Sequence, residues 1–337
     1  MVASTLHIPC TWKRRSKLAP DLEIELMMSK RIFITGAAGL VGQNLIAHMR
    51  AVGTWEIVGL DKYAHNLAIL RTLHPQIELI EADCSEPGPW EQTLRGCDEL
   101  IMLHAQIGGL DREEFVRNNV TATRRVLEAA AAGRVTHLIH VSSSVINSVA
   151  QDFYVETKKQ QEALVLESRI SHVILRPTLM FGWFDRKHLG WLMRFMWRSP
   201  VFPVPGNGRY PRQPLYAGDF AAIVAACVAT GATGEYNISG LDKVDYIDLV
   251  RAIRRVAGAR TRIVRIPYWL FWLLLRVYAL FVHDPPFTTA QLRALVLPEL
   301  FEVIDWPSLF KVTPTPLHEA LRHTFTDPRF ADVVLRF

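Results

Sequence analysis

Three polar side chain types in the first half of the chain are spaced for proton transfer. A strand-like run, HLIHV, ends in Ser142, Ser143 and Ser144; Tyr154 follows ten residues after Ser144, and Lys158 four residues after that. Positions four apart share a helix face, so Tyr154 and Lys158 are predicted to project together from YVETKKQQEALVLES. A phenol does not ionise at neutral pH unaided. A neighbouring ammonium favours the phenolate and is expected to bring its pKa toward the working range. A serine hydroxyl can hold an alcohol or carbonyl beside Tyr154, so that a proton moves on oxygen while hydride moves on carbon. YxxxK alone occurs on many amphipathic helices, and its weight here comes from what precedes it.

What precedes it is RIFITGAAGLVG at residues 31–42. A short apolar run ends in Thr35, glycines stand at Gly36, Gly39 and Gly42, and NLIAHMR continues as a helix-like segment. The first glycine permits a tight strand-to-helix turn, and the second lets backbone approach a pyrophosphate. The third lets the helix pack on the sheet, while helix N-terminal amides receive the anion. Ala38, Leu40 and Val41 lie within the same turn and join the predicted cofactor set. Asp61 ends a second apolar run, EIVGL, nineteen residues beyond Gly42. A carboxylate there can accept hydrogen bonds from both ribose hydroxyls and would repel a 2′-phosphate. The pattern predicts NAD as cofactor, in preference to NADP.

The elements that must position these groups alternate. RIFIT, EIVGL, IELIEAD, ELIMLHA, HLIHVSS and HVILRPT read as strands, separated by helical stretches such as 111–132. Near-continuous apolar strands joined by helical crossovers predict an α/β fold with a doubly wound parallel sheet over residues 30–180. After Phe181 the rhythm fades into a Trp-, Arg- and Pro-rich stretch, taken as the start of a smaller C-terminal substrate-binding region at 181–337, some of whose segments return to the sheet. Residues 1–29 carry no continuous apolar core of a signal peptide and are expected to be a disordered extension.

The 337 residues carry a formal charge of +5, with basic residues scattered rather than interleaved with aromatics. That pattern predicts no nucleic-acid partner. Cys10, Cys84, Cys97 and Cys227 are far apart, which predicts no metal site, no disulfide framework and a reducing, cytoplasmic setting.

Taken in order, TGAAGLVG, Asp61, EADCSEP, HAQ at 104–106, NNVTATRRVLEAA, VSSS, YVETK and LRPTLMFG resemble the extended short-chain dehydrogenases/reductases. More narrowly, the chain resembles the NAD-dependent epimerase/dehydratase family acting on nucleotide sugars, over roughly residues 30–260. The resemblance implies a Rossmann sheet and a catalytic trio of Ser144, Tyr154 and Lys158, with Ser143 as substitute if the serine register shifts by one. It implies that Lys158 also bridges the nicotinamide ribose, that Asp83 lies near the adenine, that Ala105 lines the cofactor cleft and that Asn119 sits close to the active site. Thr178 of LRPTLMFG falls on the substrate side. In GNGRYPRQPLYAGDFA, Arg212 occupies the place of an arginine that contacts the substrate pyrophosphate, and a guanidinium matches phosphate oxygens bidentately. Arg209 is a weaker candidate, and Asp219 is expected to fix its loop. The chain departs from the family in one respect: only VINSVAQDF separates Ser144 from Tyr154, where a longer pocket-shaping segment is usual.

The expected reaction is nucleotide-sugar epimerisation. Nucleotide-sugar 4-ketoreduction and a hydroxysteroid-type dehydrogenation are alternatives, as is a non-catalytic NAD(H) sensor, against which the Tyr/Lys pair argues. No Asp-Glu pair adjoins the serines, which disfavours a dehydratase. A homodimer is a possible partner arrangement. The apolar run at 266–282 is interrupted only by Arg276 and reaches the lower edge of a bilayer span. It is expected to be a buried or partly exposed helix covering the substrate region, with peripheral membrane contact as the alternative.

Overall fold

The six apolar runs become the strands β1 (Arg31–Thr35), β2 (Glu56–Asp61), β3 (Glu78–Glu81), β4 (Glu99–Met102), β5 (His137–Val141) and β6 (Ser171–Pro177). The computed structural model of the chain describes residues 30–53, 55–147, 152–185, 188–281, 288–296, 301–330 and 333–337. The expected extension at 1–29 and Cys10 lie outside them. Short strands follow as β7 (Met180–Phe181), β8 (Val201–Pro205), β9 (Pro211–Arg212) and β10 (Leu215–Tyr216). The series ends with β11 (Gly234–Ile238), β12 (Val244–Asp245) and β13 (Arg262–Ile266).

Seven strands form one parallel sheet in the order β11-β6-β5-β4-β1-β2-β3. Ile32 and Ile34 of β1 point into one apolar layer with Leu45, Phe220 and Val224. Phe33, between them, points into the opposite layer with Trp90, Leu94 and Val126. Alternate residues of one strand thus feed two cores, and for that reason a strand covered on both faces reads as unbroken apolar sequence. Strand order reverses between β1 and β4, opening a crevice at their carboxyl ends where such sheets bind ligands. This is a doubly wound Rossmann-type α/β fold.

Part of the chain beyond residue 181 completes this sheet. β11 pairs with β6 at the sheet edge, Tyr236 opposite Leu175. The helix Ala217–Thr230 packs on Leu40–Val52. A separate apolar cluster built from Phe181, Met193, Phe202, Val204, Ile247 and Leu321 forms the smaller lobe. Asp219, expected to fix its own loop, lies in the first turn of Ala217–Thr230 and anchors a distant segment instead: its carboxylate accepts from Thr315 N at 2.9 Å and Thr315 Oγ1 at 2.6 Å.

The 266–282 run differs from the favoured expectation. Its helix, Tyr268–Phe281, has no buried residue, and Trp269, Leu280 and Phe281 are 66%, 80% and 82% exposed. The helix that touches it along the chain is Thr289–Val296. Among the described residues, only Leu270, Phe271 and Leu275 of this helix are half-buried, and the rest are exposed.

Candidate active site

The glycine turn opens onto a cleft of about 530 Å³ at the strand reversal. Gly36 has φ +67, and a Cβ there would come within 2.9 Å of His104 N. A Cβ on Gly42 would stand 2.4 Å from Ala37 O, so that helix seats on its own turn only without a side chain. Gly39 caps Leu40–Val52 with no side-chain hydrogen bond, leaving the helix N-terminal amides toward the cleft. Gly36, Gly39, Leu40, Val41 and Gly42 all line it. Ala38 lies behind, buried, and donates its amide to Asp61 Oδ2 at 3.0 Å.

Asp61 lines the cleft and also accepts from Tyr63 N at 3.1 Å. Burial pushes its pKa up, opposed by those two amides and by Lys62. Lys62, which sequence reading passed over, reaches Asn118 Oδ1 at 2.8 Å and stands 3.7 Å from Asp83 Oδ2. Asp83 lines the same end and accepts from Ser85 N and Oγ. Burial raises its pKa, but the Ser85 bonds together with Lys62 and Arg117 leave it below the usual value. These residues fit a dinucleotide: an uncapped helix N-terminus for the pyrophosphate and a carboxylate for the ribose, facing one cavity.

The reactive end is set by the helix Phe153–Glu167. Asp152 starts it, accepting from Val155 N at 2.8 Å, and so fixes where Tyr154 emerges. Tyr154, Ser143 and Ser144 line the cleft. Ser143, the alternative register, acts on the tyrosine hydroxyl and favours its ionised form, while Ser144 is buried and opens the 3-10 turn Ser144–Asn147. Burial raises the Tyr154 phenol, with Ser143 opposing and Asp152 adding. The depression expected from Lys158 does not appear. Lys158 is 1% exposed and donates Nζ to Val141 O at 2.9 Å, beneath rather than along the cleft.

Burial pushes the Lys158 amine down to about 7, with Glu162 opposing. Between that value and 10.5 the unfolded chain holds a proton that the folded chain lacks. The cost of this amine is therefore full below pH 7 and fades as pH rises. The unfolding free energy of the wild type, relative to Lys158→Met, should climb by up to about 1.4 kcal/mol per pH unit between roughly pH 7 and 9. Denaturant titrations showing a pH-independent difference would contradict the depressed amine.

Asn119 is wholly buried and does not line the cleft. The expected helix over 111–132 contains a π segment, Val116–Thr121, between Arg112–Phe115 and Ala122–Ala131. Its extra residue per turn rotates Asn119 inward, where Oδ1 accepts from Gln106 N at 2.6 Å and Nδ2 donates to Thr157 Oγ1 at 2.9 Å. Asn119 thus clamps the loop carrying Ala105, which lines the cleft, to the helix carrying Tyr154. Asn118, one residue earlier, is the neighbour that reaches the cavity. His104 is held between Thr35 Oγ1 and Thr123 Oγ1 at 2.7 and 3.1 Å, and burial lowers its pKa to about 3, keeping it neutral. Thr178 lines the cleft with its hydroxyl donated to Gln213 O at 2.9 Å.

Arg212 departs from its expected place. It is 5% exposed, lies outside the cleft lining, and its guanidinium bonds the main-chain carbonyls of Pro211 and Leu295. Those carbonyls hold it inside the smaller lobe. Arg209 pairs with Asp245 and Asp248 on the surface. Arg212→Met should lower stability by about 2–3 kcal/mol through lost charge-assisted bonds and leave KM unchanged. A selective rise in KM for phosphorylated substrates would return Arg212 to the substrate site.

A Rossmann sheet whose glycine turn, β2 carboxylate, Ser143 and Tyr154 line one cleft, with Lys158 buried beneath, has the layout of an NAD-binding protein of the short-chain dehydrogenase/reductase type. The chain belongs to the NAD dependent epimerase/dehydratase family, whose model matches residues 32–239. Among curated proteins it is 27% identical over 244 residues to a ceramide reductase of Caulobacter vibrioides, covering 70% of this chain and 73% of that protein. It is 26% identical over 246 residues to a dTDP-glucose 4,6-dehydratase of Streptomyces griseus, covering 63% and 74%. Its fold is similar to the crystal structure of UDP-glucuronic acid 4-epimerase from Bacillus cereus in complex with NAD, at TM-score 0.67 and 20% identity, covering 87% of this chain and 94% of that one.

Proposed function

We propose that the protein interconverts a secondary alcohol and its ketone with NAD(H), and that its substrate is a nucleotide sugar whose carbinol centre it epimerises. The observation that carries this reading is one continuous cleft lined by the Gly36–Asp61 turn at one end and by Ser143 and Tyr154 at the other. NAD held at that turn and at Asp61 would supply the hydride acceptor and donor. Tyr154 takes the proton from the sugar hydroxyl and returns it after the ketone has turned over. Ser143 orients the substrate oxygen beside Tyr154, and Lys158, bonded to the carbonyl of Val141 at the end of β5, keeps a movable proton near neutral pH. Asn119 and Thr157 hold the two walls in register. Family membership and the dTDP-glucose 4,6-dehydratase likeness support a sugar substrate.

A second reading, one-way reduction of a lipid-like ketone, is favoured by the inward turn of Arg212 and by the likeness to ceramide reductase. Retained cofactor separates the two. Freshly purified protein is denatured and the released NAD⁺ and NADH are quantified by mass spectrometry. Near-stoichiometric dinucleotide, with turnover of a UDP-sugar lacking added cofactor, supports the epimerase. Little retained dinucleotide, with reduction of a ketone only when NADH is added, overturns it in favour of the reductase.

A further inference from the structure

The Tyr268–Phe281 helix presents apolar side chains in every direction. Eleven of its fourteen residues are exposed and the other three, Leu270, Phe271 and Leu275, are half-buried. Residues 276–281 are all exposed and span more than a full turn of 3.6 residues. A rigid protein partner covers one stripe of a helix, leaving the remaining faces in water. A fluid apolar medium surrounds it. At about 1.5 Å per residue the helix is roughly 21 Å long, short of the ~30 Å hydrocarbon core, and among the described residues no helix is long and apolar enough to cross a membrane.

Charge frames the apolar surface. Arg262 and Arg265 are exposed on β13, which leads directly into the helix, and Arg276 is exposed within it. None of the three forms an ion pair among the described residues. The Arg276 guanidinium lies over the Trp272 ring, 5.3 Å from its centroid, leaving its long stem free to run along the apolar surface to a polar boundary. Tyr268, Trp269, Trp272 and Tyr278 are side chains that favour the headgroup level. Val264 and Val201, on the paired strands β13 and β8, are exposed as well.

We infer that the Tyr268–Phe281 helix seats the protein in one leaflet of an anionic lipid bilayer, with Arg262, Arg265 and Arg276 against the lipid phosphates. This holds whichever substrate the cleft takes. The test is flotation of the full chain, purified without detergent, with phosphatidylethanolamine/phosphatidylglycerol vesicles and with phosphatidylcholine vesicles. The wild type should float with the anionic vesicles, and raised salt should weaken this. Trp269→Glu/Leu273→Glu/Leu280→Glu should reduce the floated fraction by about tenfold or more, the loss expected when apolar insertion ends. Arg262→Glu/Arg265→Glu should reduce it on anionic vesicles and leave the phosphatidylcholine fraction unchanged. NADH titration of each variant reports folding, and Leu280→Glu alone serves if the triple variant fails that control. Wild-type protein that stays at the bottom with both vesicles overturns the inference. So does a dimer in sedimentation equilibrium that the helix variants split while their flotation matches the wild type, since a second copy then covers the helix.

Discussion

Tyr154→Phe should lower turnover by about two to four orders of magnitude, the range of a lost general acid–base, while NADH titrates as in the wild type. The ring stays, so the packing of Tyr154 against the cleft wall is kept, and only the proton carrier is removed. The cofactor half of the cleft, from Gly36 to Asp61, does not depend on that hydroxyl. Paired serine variants sharpen the expectation. Ser143→Ala should cost more activity than Ser144→Ala, because Ser143 is the serine that acts on the Tyr154 phenol, whereas Ser144 is buried at the start of the 3-10 turn. Steady-state rates for the three variants give the check. Full activity in Tyr154→Phe would remove this residue from the chemistry.

The second large effect is expected at Asp61. Its carboxylate ties the glycine turn to the end of β2 through Ala38 N and Tyr63 N, and it faces the cavity. Asp61→Ala removes both the anchor and the hydroxyl acceptor. NADH affinity should fall by about ten- to a hundredfold, one or two charge-assisted hydrogen bonds at ~1.4 kcal/mol per decade. NADPH should lose far less, because the carboxylate that repels a 2′-phosphate is gone while Lys62 remains beside the site. Fluorescence titration with both cofactors measures the ratio. An unchanged preference would take Asp61 out of the ribose site.

The strands β1–β6 were legible because burial on both faces writes them as apolar runs, and the glycine turn because Gly36 and Gly42 have no room for a Cβ. β11 was only partly so. GEYNI is polar, and its partner β6 lies far back in the chain, so only the tertiary pairing identifies it as the sheet edge. The helix at 111–132 was visible in its periodicity, but the π segment that turns Asn119 inward leaves no mark in composition. Three consecutive serines cannot report which acts on Tyr154: all three line the cleft, and a 3-10 turn begins at Ser144. Arg212 shows the same limit. Its guanidinium suits a phosphate, but its partner Leu295 O comes from a segment 83 residues away. The buried or partly exposed helix expected over 266–282 came largely from its hydropathy and length, which read an apolar surface and an apolar core alike.

The central claim is hydride transfer at this cleft under the control of Tyr154. The direct measurement loads the protein with NADH deuterated at C4 and offers a 4-keto nucleotide sugar and a long-chain ketone in parallel. Mass spectrometry then locates the label. The account predicts deuterium on a single carbinol carbon of one product with the wild type and none with Tyr154→Phe. Product that forms without deuterium, or with equal deuterium in both proteins, would contradict it.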